Sequence, residues 1–399
     1  AWIRETPTDG ELAEMRRLVE GALQDGAVGF ASSFSINHSG YGGIPMPSTI
    51  ASVEEFGHLA EAVGEAGKGI VQMSAGGRGN VAAMEPIVEK IGRRMFLTTG
   101  AAMYNASDPE LGISWFEDCA AAHERGNELY IQIPCQPLSF DFTMANAYPF
   151  HSHATFADYK AALPEELTAV YKDSAFRDRF RKDLENPVVG TIFKGTWGQV
   201  VIAATAREEN AALQNRNIAD LAAEQGADPM DVMFDLALSE NLETAFLGKF
   251  LNVGDEGVGR LLQHERGVVS LSDAGAHLIF MCDAGYGLHL LSHWVRELGV
   301  FSLAEGVRRL TSHPADLYGI KGRGRLTPGS HADMVLFDPA TIGVGDPQRV
   351  SDLPGGGPRT IRQPTGVHGV WVNGTQVFDG MDYVEHAKGP GAVLRDFAA

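Results

Sequence analysis

One carboxylate in this sequence stands where a buried strand runs into a loop of small residues. In VVSLSDAGAH, residues 268–277, the apolar Val268, Val269 and Leu271 are typical of a buried strand, and Asp273 follows them. A carboxylate at such a place is costly unless another group compensates its charge. A divalent cation would do so, and Asp273 would then take a proton from water whose pKa the ion lowers to about 7. The alternative is that Asp273 caps the following turn through its short side chain.

Several histidines lie where they could contact a substrate. His277 comes four residues after Asp273 and could orient a substrate or bind developing charge. His38 lies in SINHSGYGGIPMP, a loop rich in glycine and serine, where the backbone can approach a ligand closely. His289 and His293 have the i, i+4 spacing of one helix face. For each of these residues, an ordinary core or surface role is the alternative.

His151 and His153 form a His-x-His pair, and alternating histidines on a strand can share a metal ion. The pair follows an irregular, proline-rich segment, so the other interpretation is two exposed histidines or two histidines of a lid. Cys135 follows the end of a predicted strand without a visible base partner, and we expect it to be structural.

The elements that must position these residues follow a repeating pattern of helix, glycine and strand. Apolar runs predict strands at 27–32, 70–74, 95–99, 129–133 and 267–272. Capping pairs predict helix starts at Thr8 with Glu11, Ser52 with Glu55, Ser114 with Glu117, and Ser302 with Glu305. Short apolar strands that alternate with helices indicate a parallel α/β sheet covered on both faces.

Two breaks in this pattern suggest the domain organisation. Residues 1–322 carry the helix and strand units, and an insertion or lid interrupts them at about 135–200. Residues 323–399 consist of short β runs, and Asn373-Gly374 predicts a hairpin within them. A helical pattern also spans about 217–239, with a break near Pro229.

Bulk composition excludes some classes of partner. The 399 residues carry a net charge of −19, which argues against nucleic acid and anionic membrane surfaces as partners. No apolar run reaches transmembrane length. The three cysteines, Cys119, Cys135 and Cys282, are far apart, so we expect a reducing compartment, the cytoplasm. The chain opens AWIRETPTDG without Met, which suggests a longer protein.

Four stretches resemble the amidohydrolase superfamily, in its N-acyl-D-amino-acid deacylase (D-aminoacylase) branch. In chain order they are GALQDGAVGFASS with GGIPMPS, SLSDAGAH, SLAEGVRRLTSHPADLYGIKGRGRLTPGSHADMVLFDPATI, and GVHGVWVNGTQVFDG. The third is the most specific, because it links the last barrel helix to a returning β domain. The resemblance implies a (β/α)8 TIM-type barrel, partly represented here, with a small flanking β-sandwich domain whose C-terminal part is 323–399.

The resemblance also implies a metal site. Asp273 matches the family carboxylate that follows barrel strand eight, binds the metal and shuttles a proton. Members of the branch usually have histidines at the ends of strands five and six, where this chain offers Gln72 and Thr99. Neutral amide and hydroxyl oxygens are poor zinc ligands compared with imidazole. The expectation is therefore one zinc or other divalent ion, with its remaining ligands before Ala1.

The predicted substrate-binding residues are His277, His38, Gln72 and Arg78. Arg78 comes just after strand five, and a guanidinium there suits the carboxylate of an N-acyl amino acid.

The function implied by the resemblance is metal-dependent hydrolysis of an amide carbon–nitrogen bond, in N-acyl-D-amino acids or a related linear amide. Two alternatives stay open: an amidohydrolase acting on a cyclic amide or another non-peptide bond, and a non-catalytic barrel subunit that has lost its metal. We expect a small-molecule substrate. We also expect the N-terminal segment of the same protein, or an oligomeric partner, to cover the edges that a five-stranded remnant would expose.

Overall fold

A computed structural model describes residues 6–35, 38, 40, 44–187, 191–270, 285–345, 348–357 and 359–397. The strands are β1 Gly29–Ser33, β2 Ile70–Ser74, β3 Met95–Thr98, β4 Leu129–Ile133, β5 Leu138–Thr143, β6 Val200–Ala204, β7 Ala245–Leu251, β8 Gly267–Val269, β9 Met334–Phe337, β10 Gly343–Val344, β11 Gln348–Val350, β12 Arg359–Ile361, β13 Pro364–Thr365, β14 Val367–Val372 and β15 Thr375–Phe378.

The helices are α1 Asp9–Gln24, α2 Pro47–Ile50, α3 Val53–Ala66, α4 Val81–Ile91, α5 Pro109–Glu124, α6 Pro164–Lys172, α7 Ser174–Glu185, α8 Ile218–Gln225, α9 Pro229–Ser239, α10 Asp255–Gln263, α11 Tyr286–His289, α12 Leu303–Leu310 and α13 Ser312–Tyr318. A π-helix, Leu290–Glu297, continues α11. In the described part of the chain, no helix has the length and apolar character needed to cross a bilayer.

The five predicted strands form one parallel sheet in the order β1-β2-β3-β4-β8. The α/β class with a parallel sheet is therefore confirmed, whereas closure into an eight-stranded barrel stays a prediction. One face of the sheet packs on the helices through a large apolar core that includes Val71, Met73, Leu97 and Ile131. Because side chains alternate along a strand, the residues between these belong to the opposite face.

The opposite face is layered along the strand direction. Near the amino ends of the strands lies an apolar layer of Ile70, Phe96, Tyr130 and Val268, which packs against Leu317 of α13. Two residues further along three of these strands, the side chains are polar. The open face thus changes from apolar to polar toward the carboxyl ends of the strands, where parallel α/β proteins place their sites.

A second core lies between β4 and β8 in sequence. Strands β5, β7 and β6 form an antiparallel sheet, in that order, and its apolar cluster draws on residues from Phe140 to Phe250. Helices α8 and α9, separated at Pro229 as the pattern indicates, contribute to this cluster. The insertion predicted at about 135–200 falls within this part of the chain. The predicted domain limits themselves stay predictions.

The C-terminal part consists of short antiparallel pairings. β14 pairs with both β9 and β15, and separate two-stranded sheets join β10 to β13 and β11 to β12. The predicted hairpin is present between β14 and β15, where Val372 pairs with Thr375 across Asn373-Gly374.

Three of the four predicted helix starts are confirmed. The hydroxyls of Thr8, Ser52 and Ser302 accept hydrogen bonds from the backbone N–H three residues later. The start predicted at Ser114 is wrong, because α5 begins at Pro109 and the Ser114 hydroxyl donates to the carbonyl of Leu111. Proline fits the first turn of a helix, where its missing N–H is not needed, and this signal outweighed the serine.

Candidate active site at the carboxyl ends of the parallel strands

The carboxyl ends of β1 and β2 hold two of the predicted binding residues in adjacent loops. Ser33 Oγ lies 2.6 Å from His38 Nδ1, and the exposed His38 is the residue predicted to line a pocket. Gly76 has φ +56°, and a Cβ there would lie 2.3 Å from the carbonyl oxygen of Phe34. A glycine at 76 is therefore what lets the loop after β2 pack against the end of β1.

Arg78 follows in the same loop and is exposed. Its guanidinium stacks over the ring of Phe34 at 4.9 Å from the centroid, and one N–H group donates to the carbonyl of Thr49. These contacts hold the cation at the same edge of the sheet as His38. Carboxylate binding by Arg78 stays a prediction.

Gln72 lies on the open face of the sheet and is tied to two neighbours. Its Nε2 donates to Thr98 Oγ1 at 3.2 Å and to Gln132 Oε1 at 2.8 Å. The Thr98 hydroxyl also donates to Gln132 Oε1, and Gln132 Nε2 donates to the hydroxyl of Tyr318 at 3.3 Å. We call Gln72, Thr98, Gln132 and Tyr318 the amide cluster.

The amide cluster corrects one expectation about β3. Thr99, named as the strand-six counterpart of Gln72, accepts a hydrogen bond from Ala101 N and begins a short 3-10 turn. Thr98 is the residue that meets Gln72. The missed signal is that each of three buried strands, IVQMS, MFLT and LYIQI, has a polar residue near its end, on one face of the sheet.

Asp273 and His277 lie outside the described residues, so their predicted roles stay predictions. The nearest described residue before them is Ser270, which follows β8. Its backbone N–H donates to the carbonyl of Ile133, and its buried hydroxyl has no hydrogen-bond partner among the described residues. Gln132 and Val268 are register partners in β4 and β8, so Ser270 follows the polar layer toward the strand ends.

His151 and His153, the His-x-His pair, differ in how far they are buried. His153 is 3% exposed, and its Nε2 lies 2.9 Å from the carbonyl oxygen of Phe193, so the interpretation as an exposed residue is wrong for it. Burial lowers the pKa of His151 to about 4, with a smaller effect of Lys160, and burial also lowers the pKa of His153. Burial therefore favours the neutral form of both imidazoles, and their rings contact Tyr148 and Phe180 at the second core.

The pair His289 and His293 stacks at 5.0 Å between ring centroids. His293 lies between two carboxylates, with Nε2 2.9 Å from Asp255 and Nδ1 3.0 Å from Glu297. Burial opposes charge on His293, but the two carboxylates outweigh it and raise its pKa. Burial lowers the pKa of His289 to about 4. The two imidazoles of the pair therefore have pKa values shifted in opposite directions, because only His293 has carboxylate partners.

The fit of a metal ion can be tested on these contacts. Across the described residues, no three His, Cys, Asp or Glu side chains come together as ligands. The amide cluster offers neutral oxygens, and those of Thr98, Gln132 and Tyr318 already accept hydrogen bonds. The residues described here therefore do not form a metal site by themselves, and no catalytic step is assigned through a metal.

The sulfur of Cys135, the residue expected to be structural, lies 3.1 Å from the carbonyl oxygen of Tyr286.

Comparison with known proteins places these features in a family context. The profile described as the amidohydrolase family matches residues 150–378. The chain is 31% identical over 199 residues to an N-acyl-D-aspartate deacylase of Alcaligenes xylosoxydans xylosoxydans, which covers 50% of this chain and 35% of the relative. It is 25% identical over 407 residues to a D-aminoacylase of the same organism, which covers 100% of this chain and 67% of the relative. The chain thus spans two thirds or less of the length of these relatives.

A solved D-aminoacylase structure superimposes with a TM-score of 0.55 at 18% identity, over 96% of this chain and 66% of that one. It is described as having a binuclear metal center with one-metal activation and second-metal attenuation. At this identity the likeness supports the shared fold alone.

Proposed function

Because the chain belongs to the amidohydrolase family, we propose that it hydrolyses a carbon–nitrogen amide bond in a small molecule, an N-acyl-D-amino acid. The observation that carries this proposal is the similarity to D-aminoacylase over the full length of the chain. The similarity of half the chain to an N-acyl-D-aspartate deacylase supports the same substrate class.

In the proposed reaction, a water oxygen attacks the carbonyl carbon and the carbon–nitrogen bond breaks. Asp273 takes the proton from the water and returns it to the leaving nitrogen. The products are a carboxylate and a free amino acid, so atoms and protons balance without a further reactant. We keep one zinc or other divalent ion, with Asp273 as a ligand, as part of the proposal.

The predicted binding residues have consistent roles in this scheme. Arg78 and His38 lie at the same edge of the sheet, in the loops after β2 and β1. Arg78 would pair with the substrate carboxylate. Both N–H groups of the Gln72 amide are used inside the amide cluster, so its Oε1 is the atom that would accept the substrate amide N–H. His277 would contact the developing negative charge.

The test is a kinetic comparison of Asp273→Asn with the wild-type protein. The assay panel holds N-acyl-D-amino acids, N-acyl-L-amino acids and cyclic imides, and metal content is measured on the same samples. We expect D-amino-acid release by the wild type and a loss of kcat of about 10²-fold or more in the variant. The variant should stay folded, because the substitution preserves side-chain volume.

Asp158→Asn is the matched control, since Asp158 is an exposed carboxylate of the second core region. It should leave kcat unaltered. If the wild type hydrolyses cyclic imides and none of the N-acyl amino acids, the substrate class is a cyclic amide and the proposed linear amide is wrong. An active Asp273→Asn protein would exclude the proposed role of Asp273.

A further inference from the structure

Arg362 is a partly buried cation that has no carboxylate partner among the described residues. Its Nε donates to the carbonyl oxygen of Gly345 at 2.9 Å, and its Nη1 donates to Gln136 Oε1 at 3.2 Å. Both acceptors are neutral, and a guanidinium has five N–H donors, so charge and donors are left for a ligand. Other arginines of the C-terminal part each pair with an aspartate, namely Arg323, Arg325 and Arg359.

The contact with Gln136 brings Arg362 to the edge of the parallel sheet that holds the candidate site. Gln136 is 3% exposed and follows β4, beyond the carboxyl end of that strand. The loop after β2, which carries Arg78, is at the same edge, and only β3 separates β2 from β4. At the usual strand spacing, β2 and β4 are about 10 Å apart. Two guanidiniums therefore lie at the edge where parallel α/β proteins bind their substrates.

The small sheet of β10 and β13 holds Arg362 in this place. The two strands pair antiparallel, and Arg362 lies in the segment before β13. Arg296 of the π-helix donates to the carbonyl of Ile342, next to β10. A Cβ on Gly285 would lie 2.8 Å from Val344 Cγ2, so β10 also packs closely against the start of α11. The position of Arg362 is thus set by packing between the C-terminal part and the elements that follow β8.

The imidazole of His289 is a neighbour of this charge. Burial, then His293, then Arg362 lower the pKa of His289 to about 4. A positive neighbour disfavours a second positive charge, so this environment favours the neutral imidazole. A neutral imidazole can still donate one N–H group to an anion. The surroundings of Arg362 therefore suit a bound carboxylate and do not supply one themselves.

We propose that Arg362, positioned by Gln136, pairs with a second carboxylate of the substrate, so that this chain selects N-acyl-D-amino acids with an acidic side chain. Arg78 pairs with the α-carboxylate in the proposed reaction, and a guanidinium binds a carboxylate through two parallel N–H···O bonds. A neutral side chain would leave the charge of Arg362 without a partner in a partly buried place. This inference rests on the proposed function for the substrate, but binding at Arg362 is measurable without turnover.

The experiment compares N-acetyl-D-aspartate with N-acetyl-D-asparagine, because these ligands differ in side-chain charge and hardly in shape. Hydrolysis gives kcat/KM for both, and calorimetric titration in the Asp273→Asn background gives both affinities. We expect a preference for the aspartate of about tenfold or more in kcat/KM and in affinity. Arg362→Gln should lose this preference, and Arg362→Lys should keep part of it, because lysine retains the charge without the bidentate geometry. Arg17→Gln, at an exposed position on α1, is the matched control and should keep the preference.

A purely structural role of Arg362 would weaken both ligands by the same factor. An unchanged ratio in Arg362→Gln would therefore overturn the inference, and so would a wild type that binds the two ligands equally or binds neither. If Arg362→Gln does not fold by circular dichroism, the ratio in Arg362→Lys decides, and a value equal to the wild-type ratio would overturn the inference. Failure of the proposed function is separate: it is an Arg362-dependent preference in binding without any hydrolysis.

Discussion

At the scale of single residues, Glu240 shows how a buried charge is kept in this protein. It is 1% exposed at the end of α9, and its carboxylate accepts hydrogen bonds from Thr244 Oγ1, Asn210 Nδ2 and the backbone N–H groups of Ala206 and Arg207. Burial alone would raise the pKa of this carboxyl, but the four donors together lower it below its ordinary value. The charge therefore anchors the segment after β6 to the end of α9.

Replacing Glu240 with Gln should lower the free energy of unfolding by about 1–3 kcal/mol, because an amide cannot accept all four hydrogen bonds. The pKa of Glu240 is lower in the folded protein than in the unfolded chain. The ionised carboxylate therefore stabilises the folded state at pH values above the unfolded pKa, and this contribution is lost as the pH falls through the folded pKa. Urea unfolding at pH 7 and at acid pH measures both effects. Glu243→Gln, at an exposed position, is the control; equal stabilities of the two variants would refute the role of Glu240.

At the scale of elements, local turn chemistry decides the hairpin of the C-terminal part. Asn373 has φ +49° and Gly374 has φ +81°, as the two-residue turn between β14 and β15 requires. Arg323 donates to Asn373 Oδ1, and Asp333 accepts the Asn373 backbone N–H. The turn is thus held by its own dihedral angles and by contacts near β9.

Gly374→Ala should destabilise this hairpin by about 1 kcal/mol, because a Cβ disfavours the left-handed backbone. The side chain itself has room, since the nearest neighbour of a Cβ there is Ala332 Cβ at 3.8 Å. Thermal unfolding measures the effect. Gly389→Ala is the control, because Gly389 has open space and no positive φ; equal melting temperatures would show that the turn carries no strain.

At the scale of the whole molecule, the described residues pack into two large, separate apolar cores. One joins the parallel sheet to its helices, and the other joins β5, β6 and β7 to α6 through α9. The second core is rich in aromatic contacts, and Phe180 alone contacts Phe150, Phe156 and Phe234 at ring-centroid distances of 4.9–6.2 Å. Separate cores allow one unit to loosen while the other stays folded.

Phe180→Ala should therefore act locally. Removing this fully buried ring costs about 3–5 kcal/mol, and the loss falls on the second core. Hydrogen exchange followed by mass spectrometry should show faster exchange within 138–251, while β2, β3 and β4 keep their protection. Leu163→Ala, at a side chain 64% exposed, serves as the control. Equal loss of protection in the parallel sheet would mean that the two cores unfold together.

The sequence by itself determined the elements whose signals are local. These signals depend on residues within a few positions of one another, so the sequence predicts them without any knowledge of packing. They are the strand periods, the capping hydroxyls of Thr8, Ser52 and Ser302, and the Asn373-Gly374 turn. The helix start predicted at Ser114 was wrong because two local signals competed, and the helix begins at Pro109 instead. The family was also predicted correctly, because its motifs are contiguous runs.

Only the tertiary structure decided which polar side chains contact one another on the open face of the sheet. Gln72, Thr98 and Gln132 are 26 and 34 residues apart along the chain, and Tyr318 lies a further 186 residues on. Which threonine faces Gln72 depends on strand register, and a shift of one residue reverses the face. The orientation of the Gln132 amide depends on a ring from α13. Such contacts are set by the pairing of distant strands and helices, which no local pattern encodes.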